Sequence, residues 1–396
     1  MPMTSSSTAR TADVLHRSTL WMMAAACGAS AANIFYNQPL LGKFALAYQA
    51  SPSKAGLVAT AAQVGYGLGL FLFVPLGDLL NRRKVVLLLM SLCTALLAAT
   101  AAAPGLQTLI WLHLLIGITT MNAQILIPFG MELSPPKERG RTVGVLMAGL
   151  LCGVLLARVV SGFVGEHIGW RTVYLLATGV MLVILVSLYR GLPHRPPVAA
   201  HMGYGRFMKE MFQLWARLPA LWTASAVSGL SFGCFTAFWT TLSFLLMDRF
   251  GMGASAAGAF GVIGLAGVLA APLAGRVSDR RGPRFTVTVS LLLIALSFVG
   301  MSLWLSLPML VLGVIFMDLG VQAIQVAAQT RVMSLVPDAG SRLNTFYMVF
   351  RFVGGALGSF LGATAWAHWQ WAGVCCVAVG LVLAALVVHA LDRGGR

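Results

Sequence analysis

The ten residues Gly275-Arg-Val-Ser-Asp-Arg-Arg-Gly-Pro-Arg284 constrain this chain more than any other stretch. They form a short basic hinge between two apolar runs, residues 254–274 and 285–305, neither of which contains an acid or a base. A helix crosses a bilayer with roughly 20 apolar residues at about 1.5 Å of rise each, and both runs meet that length. So short a connection makes the two helices antiparallel neighbours, and Gly282 with Pro283 keeps the first from running into the second. An earlier hinge, the first in chain order, is Gly77-Asp-Leu-Leu-Asn-Arg-Arg-Lys84, about half a chain before it between two further apolar runs.

Composition extends this reading to the whole chain. Of 396 residues, 58% are hydrophobic and only 10% charged, where a soluble domain carries about 25% charged residues. Apolar blocks of this length exclude a β-barrel, whose strands alternate in short segments. The expected fold is an all-α membrane protein with twelve transmembrane helices in two six-helix halves. The spans fall near 19–45, 54–76, 84–103, 107–131, 143–164, 171–189, 219–247, 254–274, 285–305, 308–330, 343–365 and 371–391. The expected domains are a disordered tail (1–17), a first half (18–189), a linker (190–218), a second half (219–391) and a short end (392–396).

The net charge of +16 is a topological signal. Counted by side of the membrane, 21 Lys and Arg residues fall with the termini and linker, while Lys43, Lys54, Arg171 and Arg249 lie opposite. Positive residues favour the cytoplasm, so both termini are expected there, in a multi-pass protein of the inner membrane. This distribution excludes nucleic acid as a partner.

All six cysteines lie within spans, with no Cys-x-x-Cys and no metal-ligand spacing. The sequence contains neither a nucleotide-binding loop nor a nucleophile–base constellation, so no enzyme, cofactor or metal is expected.

The halves repeat at an offset of 201 residues: Gln124 falls on Gln325, Pro136 on Pro337, Arg141 on Arg342, Gly153 on Gly354 and Trp170 on Trp371. The hinge pattern Gly-x-x-x-Asp-Arg-x-Gly-x-Arg resembles the signature loop of the major facilitator superfamily. The second hinge matches almost completely. The first departs from it, with Asn81 at the Asp position and the inner Gly missing. Ala-Asn33-Ile-Phe-Tyr36-Asn37-Gln38-Pro39-Leu-Leu resembles a marker of a bacterial branch of that superfamily annotated largely for efflux. The resemblance implies alternating access by a monomer, with a small-molecule substrate bound between the halves. It also suggests proton-coupled export, with symport or uniport uptake as the alternative and a non-transporting sensor as a remote one. His113 stands where the fourth helix of the family usually carries Arg, and the fifth helix lacks the Gly-Pro pattern frequent in antiporters.

Polar groups inside apolar spans need partners or a wet cavity. Asn33, Tyr36 and Asn37 share one helix face at i, i+3, i+4. With Gln38, Gln63, Asn122, Gln124, Trp239 and Gln325 they are the expected substrate-binding set. Only four ionisable side chains lie clearly within the spans, away from their ends, His113, Arg158, Asp318 and Arg351, and they form the expected proton-coupling set. Asp318 and Arg351, on consecutive spans at similar depth, are expected to pair, and Arg158 to meet an anionic group or a helix-end carbonyl. Gly77, Asp78, Arg82, Arg83, Gly275, Asp279, Arg280 and Arg284 are the expected gating residues. Lipid surrounds the whole.

Overall fold

The structure, a computed structural model, describes residues 16–195, 203–269, 271–336 and 339–392. The expected disordered tail and the end segment therefore lie almost wholly outside the described residues. The side chains of Asp78 and Asp279 also lie outside them, and with them any hinge pairing of those two acids.

Among the described residues the chain is helical: α1 (Arg17–Phe35), α2 (Leu41–Ala47), α3 (Pro52–Leu79), α4 (Arg82–Ala101), α5 (Leu106–Thr119), α6 (Asn122–Leu133), α7 (Arg139–His167), α8 (Trp170–Gly191), α9 (Tyr204–Ala216), α10 (Pro219–Phe250), α11 (Ala254–Leu269), α12 (Ala271–Arg281), α13 (Pro283–Leu303), α14 (Leu307–Ser334) and α15 (Gly340–Leu391). Nine described helices are long and apolar enough to cross a membrane, counting α5 with α6 as one. The first span is α1, α11 and α12 lie on either side of residue 270, and the 52-residue α15 breaks at Gln370 (φ 53) into the last two. Exposed Leu88, Leu92, Val183, Leu296 and Leu303 give the bundle an apolar outer surface, as a hydrocarbon surround demands.

Local chemistry sets the turns. Ser51 caps α3, accepting from the Lys54 amide at 3.4 Å with Pro52 just inside the helix. Asn81 does the same for α4, accepting from the Lys84 amide at 3.4 Å. The hinge residue that departs from the family pattern is thus an N-cap, a position Asn fills as well as Asp. At the second hinge Gly282 takes φ 85 and Pro283 opens α13. Only Gly adopts that backbone cheaply.

The two halves share one packing device. A Cβ on Gly28 (α1) would meet Gly153 Cα (α7) at 3.5 Å. A Cβ on Gly229 (α10) would meet Gly354 Cα (α15) at 3.7 Å. Both pairs are related by the 201-residue offset. Glycine here permits close helix approach, which substitutes for hydrophobic drive inside a bilayer.

One side of the bundle carries both hinges and α9; we term it the basic face. The amphipathic α9 buries Phe207, Met211 and Trp215 and packs on both halves. Trp215 lies 4.4 Å from Phe346 and 6.3 Å from Phe71 by ring centroids. Tyr204 donates to the Leu72 carbonyl at 3.2 Å, and Arg342 pairs with Glu210 at 3.5 Å. The segment expected as a plain linker therefore contains a helix.

On the opposite face the halves close on each other along α7 and α11. Gly162 lies against Ala254 and Gly258, and the Ser255 amide donates to Glu166 Oε2 at 2.6 Å. That carboxylate caps the positive end of α11 across the interface. A second contact line joins α3 to α15, where Tyr66 and Phe352 rings sit 4.2 Å apart.

Candidate functional site

The α7–α11 seam leads to the one place where described ionisable groups from both halves meet. Arg158, on α7, is 4% exposed. Its Nε donates to Gln38 Oε1 at 2.9 Å. Its guanidinium carbon sits 3.8 Å from the Trp239 ring centroid, 5.0 Å from that of Phe35 and 5.4 Å from that of Phe235. Gln38 and Phe35 come from the first half, Trp239 and Phe235 from α10 in the second. Aromatic faces attract a cation, the more so when water is excluded.

The α11 backbone fixes the depth of this cluster. A Cβ on Gly261 would meet Arg158 Cβ at 3.0 Å and Cδ at 3.2 Å. A Cβ on Gly264, one turn on, would meet Asp318 Oδ2 at 2.5 Å and Trp239 Cζ2 at 3.6 Å. The two glycines are the floor on which the guanidinium arm and the carboxylate rest. Asp318, on α14, is 4% exposed. Arg158 and Asp318, from opposite halves, thus lie against adjacent turns of α11 with Trp239 beside both, without an ion pair at 4 Å or less. Arg158 Nη2, Asp318 Oδ1 and Trp239 Nε1 are all buried without a hydrogen-bond partner among the described residues, although the indole N–H faces the carboxylate.

Arg351 corrects the expected pairing. Its Nη1 donates to Ser228 Oγ at 3.0 Å, and its guanidinium carbon lies 4.2 Å from the Phe232 ring centroid. Ser228 in turn bonds Tyr347 Oη at 2.8 Å. Asp318 therefore faces Arg158 rather than Arg351. The expectation assumed that consecutive spans pack on each other, whereas α15 packs its glycine face on α10 and turns Arg351 that way.

The polar face of α1 also behaves differently from expectation. Asn33 Nδ2 donates to Thr120 Oγ1 at 3.2 Å and lies 3.3 Å from Cys93 Sγ, inside a seam of the first half. Asn37 Nδ2 bonds the Ile34 carbonyl at 3.0 Å within its own helix end. The partners of Asn33 thus all belong to the first half. Asn122 bonds the Thr119 carbonyl at 3.2 Å, bridging the break between α5 and α6. Gln63 is buried, while Tyr36, Gln124 and Gln325 are half-buried. His113 is fully buried, with Nδ1 2.8 Å from the Leu109 carbonyl and Nε2 2.9 Å from Tyr174 Oη. Since a carbonyl only accepts, Nδ1 carries the proton and Nε2 accepts from the tyrosine, a neutral core imidazole.

Three of the expected gating arginines have contacts within their own half or with the linker. Arg82 donates through Nε to the Gly77 carbonyl at 3.0 Å and pairs with Glu132 at 2.5 Å. Arg83 reaches the Tyr189 carbonyl and His194, and Arg284 the Asp392 carbonyl.

Phe35, Phe232, Gly261 and Gly264 carry weight that the sequence reading missed. The signal for the aromatic part was legible: Phe232, Phe235 and Trp239 recur at i, i+3 and i+7 along one helix face.

Comparison with known proteins agrees with this architecture. The profile of the Major Facilitator Superfamily matches residues 20–359 and 269–394. The chain belongs to that superfamily. It is 37% identical over 380 residues to the uncharacterized transporter YgaY of Escherichia coli O157:H7, covering 93% of each chain. It is 27% identical over 322 residues to the multidrug resistance protein MdtG of Klebsiella pneumoniae, covering 78% of this chain and 76% of that one. Among solved structures, a bacterial homologue of the human lysosomal transporter Spinster, in an inward-facing and occupied conformation, superposes with TM-score 0.74 at 14% identity. That match covers 94% of both chains and speaks for the fold alone. The chain is therefore a multi-pass membrane transporter.

Proposed function

We propose that this protein is a proton-coupled secondary transporter of a small organic compound, working by alternating access about the Arg158–Asp318 site. The basic face is cytoplasmic, on the positive-inside asymmetry. One observation carries the reading: a buried acid on one half lies within electrostatic reach of a buried cation on the other, at the interface alternating access must open. Moving the halves apart removes the guanidinium from the carboxylate. Wherever Asp318 stays buried without that counter-charge the neutral acid is favoured, so Asp318 gains a proton in one state and loses it in the other.

The charge arrangement favours cotransport of substrate with the proton. Exchange against protons works when a substrate cation competes for the acid, and Arg158 repels a cation at that place. Export remains the second reading, supported by the helix-one motif and the likeness to a multidrug resistance protein.

The test is flux in proteoliposomes with an imposed pH gradient, using compounds first found by thermal-shift screening. Wild type accumulates substrate on the acidic-outside gradient, whereas Asp318→Asn does not yet still exchanges labelled for unlabelled substrate. Accumulation by the Asn variant equal to wild type overturns the reading.

A further inference from the structure

We infer that the Arg158 site takes a flat aromatic carboxylate, which enters together with a proton on Asp318. The inference rests on the transport reading above and adds the substrate class and the coupling sign.

Three buried polar atoms converge here without partners: Arg158 Nη2, Trp239 Nε1 and Asp318 Oδ1. Two are donors, and an orphaned buried donor costs about 1–3 kcal/mol. A guanidinium stacked on an indole whose N–H is unpaired sets two donors side by side that need an oxygen acceptor. Asp318 is the acceptor at hand: the indole N–H faces it without a closed hydrogen bond, and no ion pair joins it to Arg158. An incoming carboxylate would satisfy both donors, and a guanidinium fork matches its two oxygens.

The surroundings specify the rest of the molecule. Phe35, Phe235 and Trp239 stand about the guanidinium, and Phe235 is only half-buried while Trp239 is 2% exposed. Phe235 is therefore the most exposed edge of the site. From there an aromatic strip runs along α10: Phe235 lies 5.9 Å from Trp239, and Phe232 stacks on Phe235 at 5.3 Å. Seven residues of helix separate Phe232 from Trp239, about 10 Å along the axis. Arg351 lies over the Phe232 end, which is nearer the basic face. A ring lying on this strip with its carboxylate at Arg158 buries its apolar body and satisfies the two donors.

Linkage fixes the sign of coupling. With the site empty, an ionised Asp318 has Arg158 as its counter-charge. A bound carboxylate takes Arg158 over and places a second negative charge beside Asp318. Like charges at that separation cannot both persist in a buried site, so Asp318 takes up a proton from solvent as the anion binds. Anion and proton then occupy the site together.

Benzoate is the probe, with benzylamine and benzyl alcohol as comparisons of the same ring size. Calorimetry on purified protein in two buffers of different ionisation enthalpy reads affinity and protons exchanged. The expected result is benzoate binding with net proton uptake and at least about tenfold weaker binding of both comparisons. Arg158→Gln weakens benzoate by about 10- to 100-fold, the loss of charged hydrogen bonds. Trp239→Phe keeps the ring, deletes the N–H and weakens it by several-fold. Thermal unfolding of each empty variant separates lost binding from lost folding. No benzoate binding at millimolar concentration, binding with proton release, or equal affinity in Arg158→Gln each overturns the inference. Asp318-dependent flux of some other screening hit would in that case leave the transport reading standing, so the two failures are distinguishable.

Discussion

Arg158 and Arg351 bury the same guanidinium at the same 4% exposure, each over an aromatic ring of α10. They solve the cost of burial in different ways. Arg351 is held by residues of its own half: Ser228, Tyr347 and Phe232. Arg158 draws its neighbours from both halves and leaves Nη2 unpaired. A charge satisfied inside one rigid body can stay put while the halves move. A charge satisfied only across the interface must change partners whenever the interface opens. On this contrast Arg351 is a strut and Arg158 a moving contact.

The largest effect that would test the contrast is on coupling. Asp318→Asn removes the acid facing Arg158 and should abolish proton-driven accumulation, while Arg351→Lys should retain it. Flux assays of both variants in the same liposome preparation check this. Loss of accumulation in Arg351→Lys with Asp318→Asn unaffected would reverse the two roles.

Stability should separate the same two arginines in the other direction. Arg351→Met leaves Ser228 and Tyr347 without their charged partner and should cost about 1–3 kcal/mol. Arg158→Met combined with Asp318→Asn removes both charges at once, which is often nearly neutral, whereas Arg158→Met alone leaves the Asp318 charge and Gln38 Oε1 without their partner. Chemical unfolding in detergent should therefore move for Arg351→Met and hardly for the double variant. Equal losses would mean that Arg158 is also a strut.

The interface itself offers a smaller test. Glu166 caps α11 from α7, so its charge helps to hold the opposite face shut. Glu166→Gln keeps the shape and forfeits the charge–dipole interaction, about 0.3–1 kcal/mol. The population open on that face should rise by about two- to fivefold, read as faster thiol labelling of a cysteine placed at Ala363. An unchanged rate would mean that the α7–α11 contact does not limit opening, and Arg158 would lose its reason to be a moving contact.

How far the sequence disclosed this site follows from what each residue's partner is. Twelve spans, two halves and the hinges are properties of chain order and local composition, and they were legible. Arg158 and Asp318 were legible singly, because a charge in an apolar span stands out. Their proximity was not, because it depends on which helices pack together, and α14 with α15 was a natural but wrong choice. The partners of Asn33 were hidden in the same way: Thr120 and Cys93 lie on other helices and look ordinary in sequence. The helix α9 was hidden inside a basic, proline-containing stretch, although Phe207, Met211 and Trp215 mark its buried face at i, i+4 and i+8.

The smallest predicted effect belongs to His113, the remaining ionisable side chain within a described span. If it carried the proton, the contrast between the two arginines would say nothing about coupling. Its geometry argues against that role. Both ring nitrogens are engaged, one with the Leu109 carbonyl and one with Tyr174, and no solvent reaches it. Protonating Nε2 would turn an acceptor into a donor facing the Tyr174 hydroxyl and place an uncompensated charge among apolar neighbours, a cost of several kcal/mol. Gln can reproduce one donor and one acceptor in about the same volume. His113→Gln should therefore transport within about twofold of wild type and lose on the order of 1 kcal/mol of stability from imperfect hydrogen bonding. The decisive measurement is the dependence of accumulation rate on external pH. Superimposable profiles for His113→Gln and wild type leave Asp318 as the carrier, whereas a flattened or displaced profile would transfer that role to the first half.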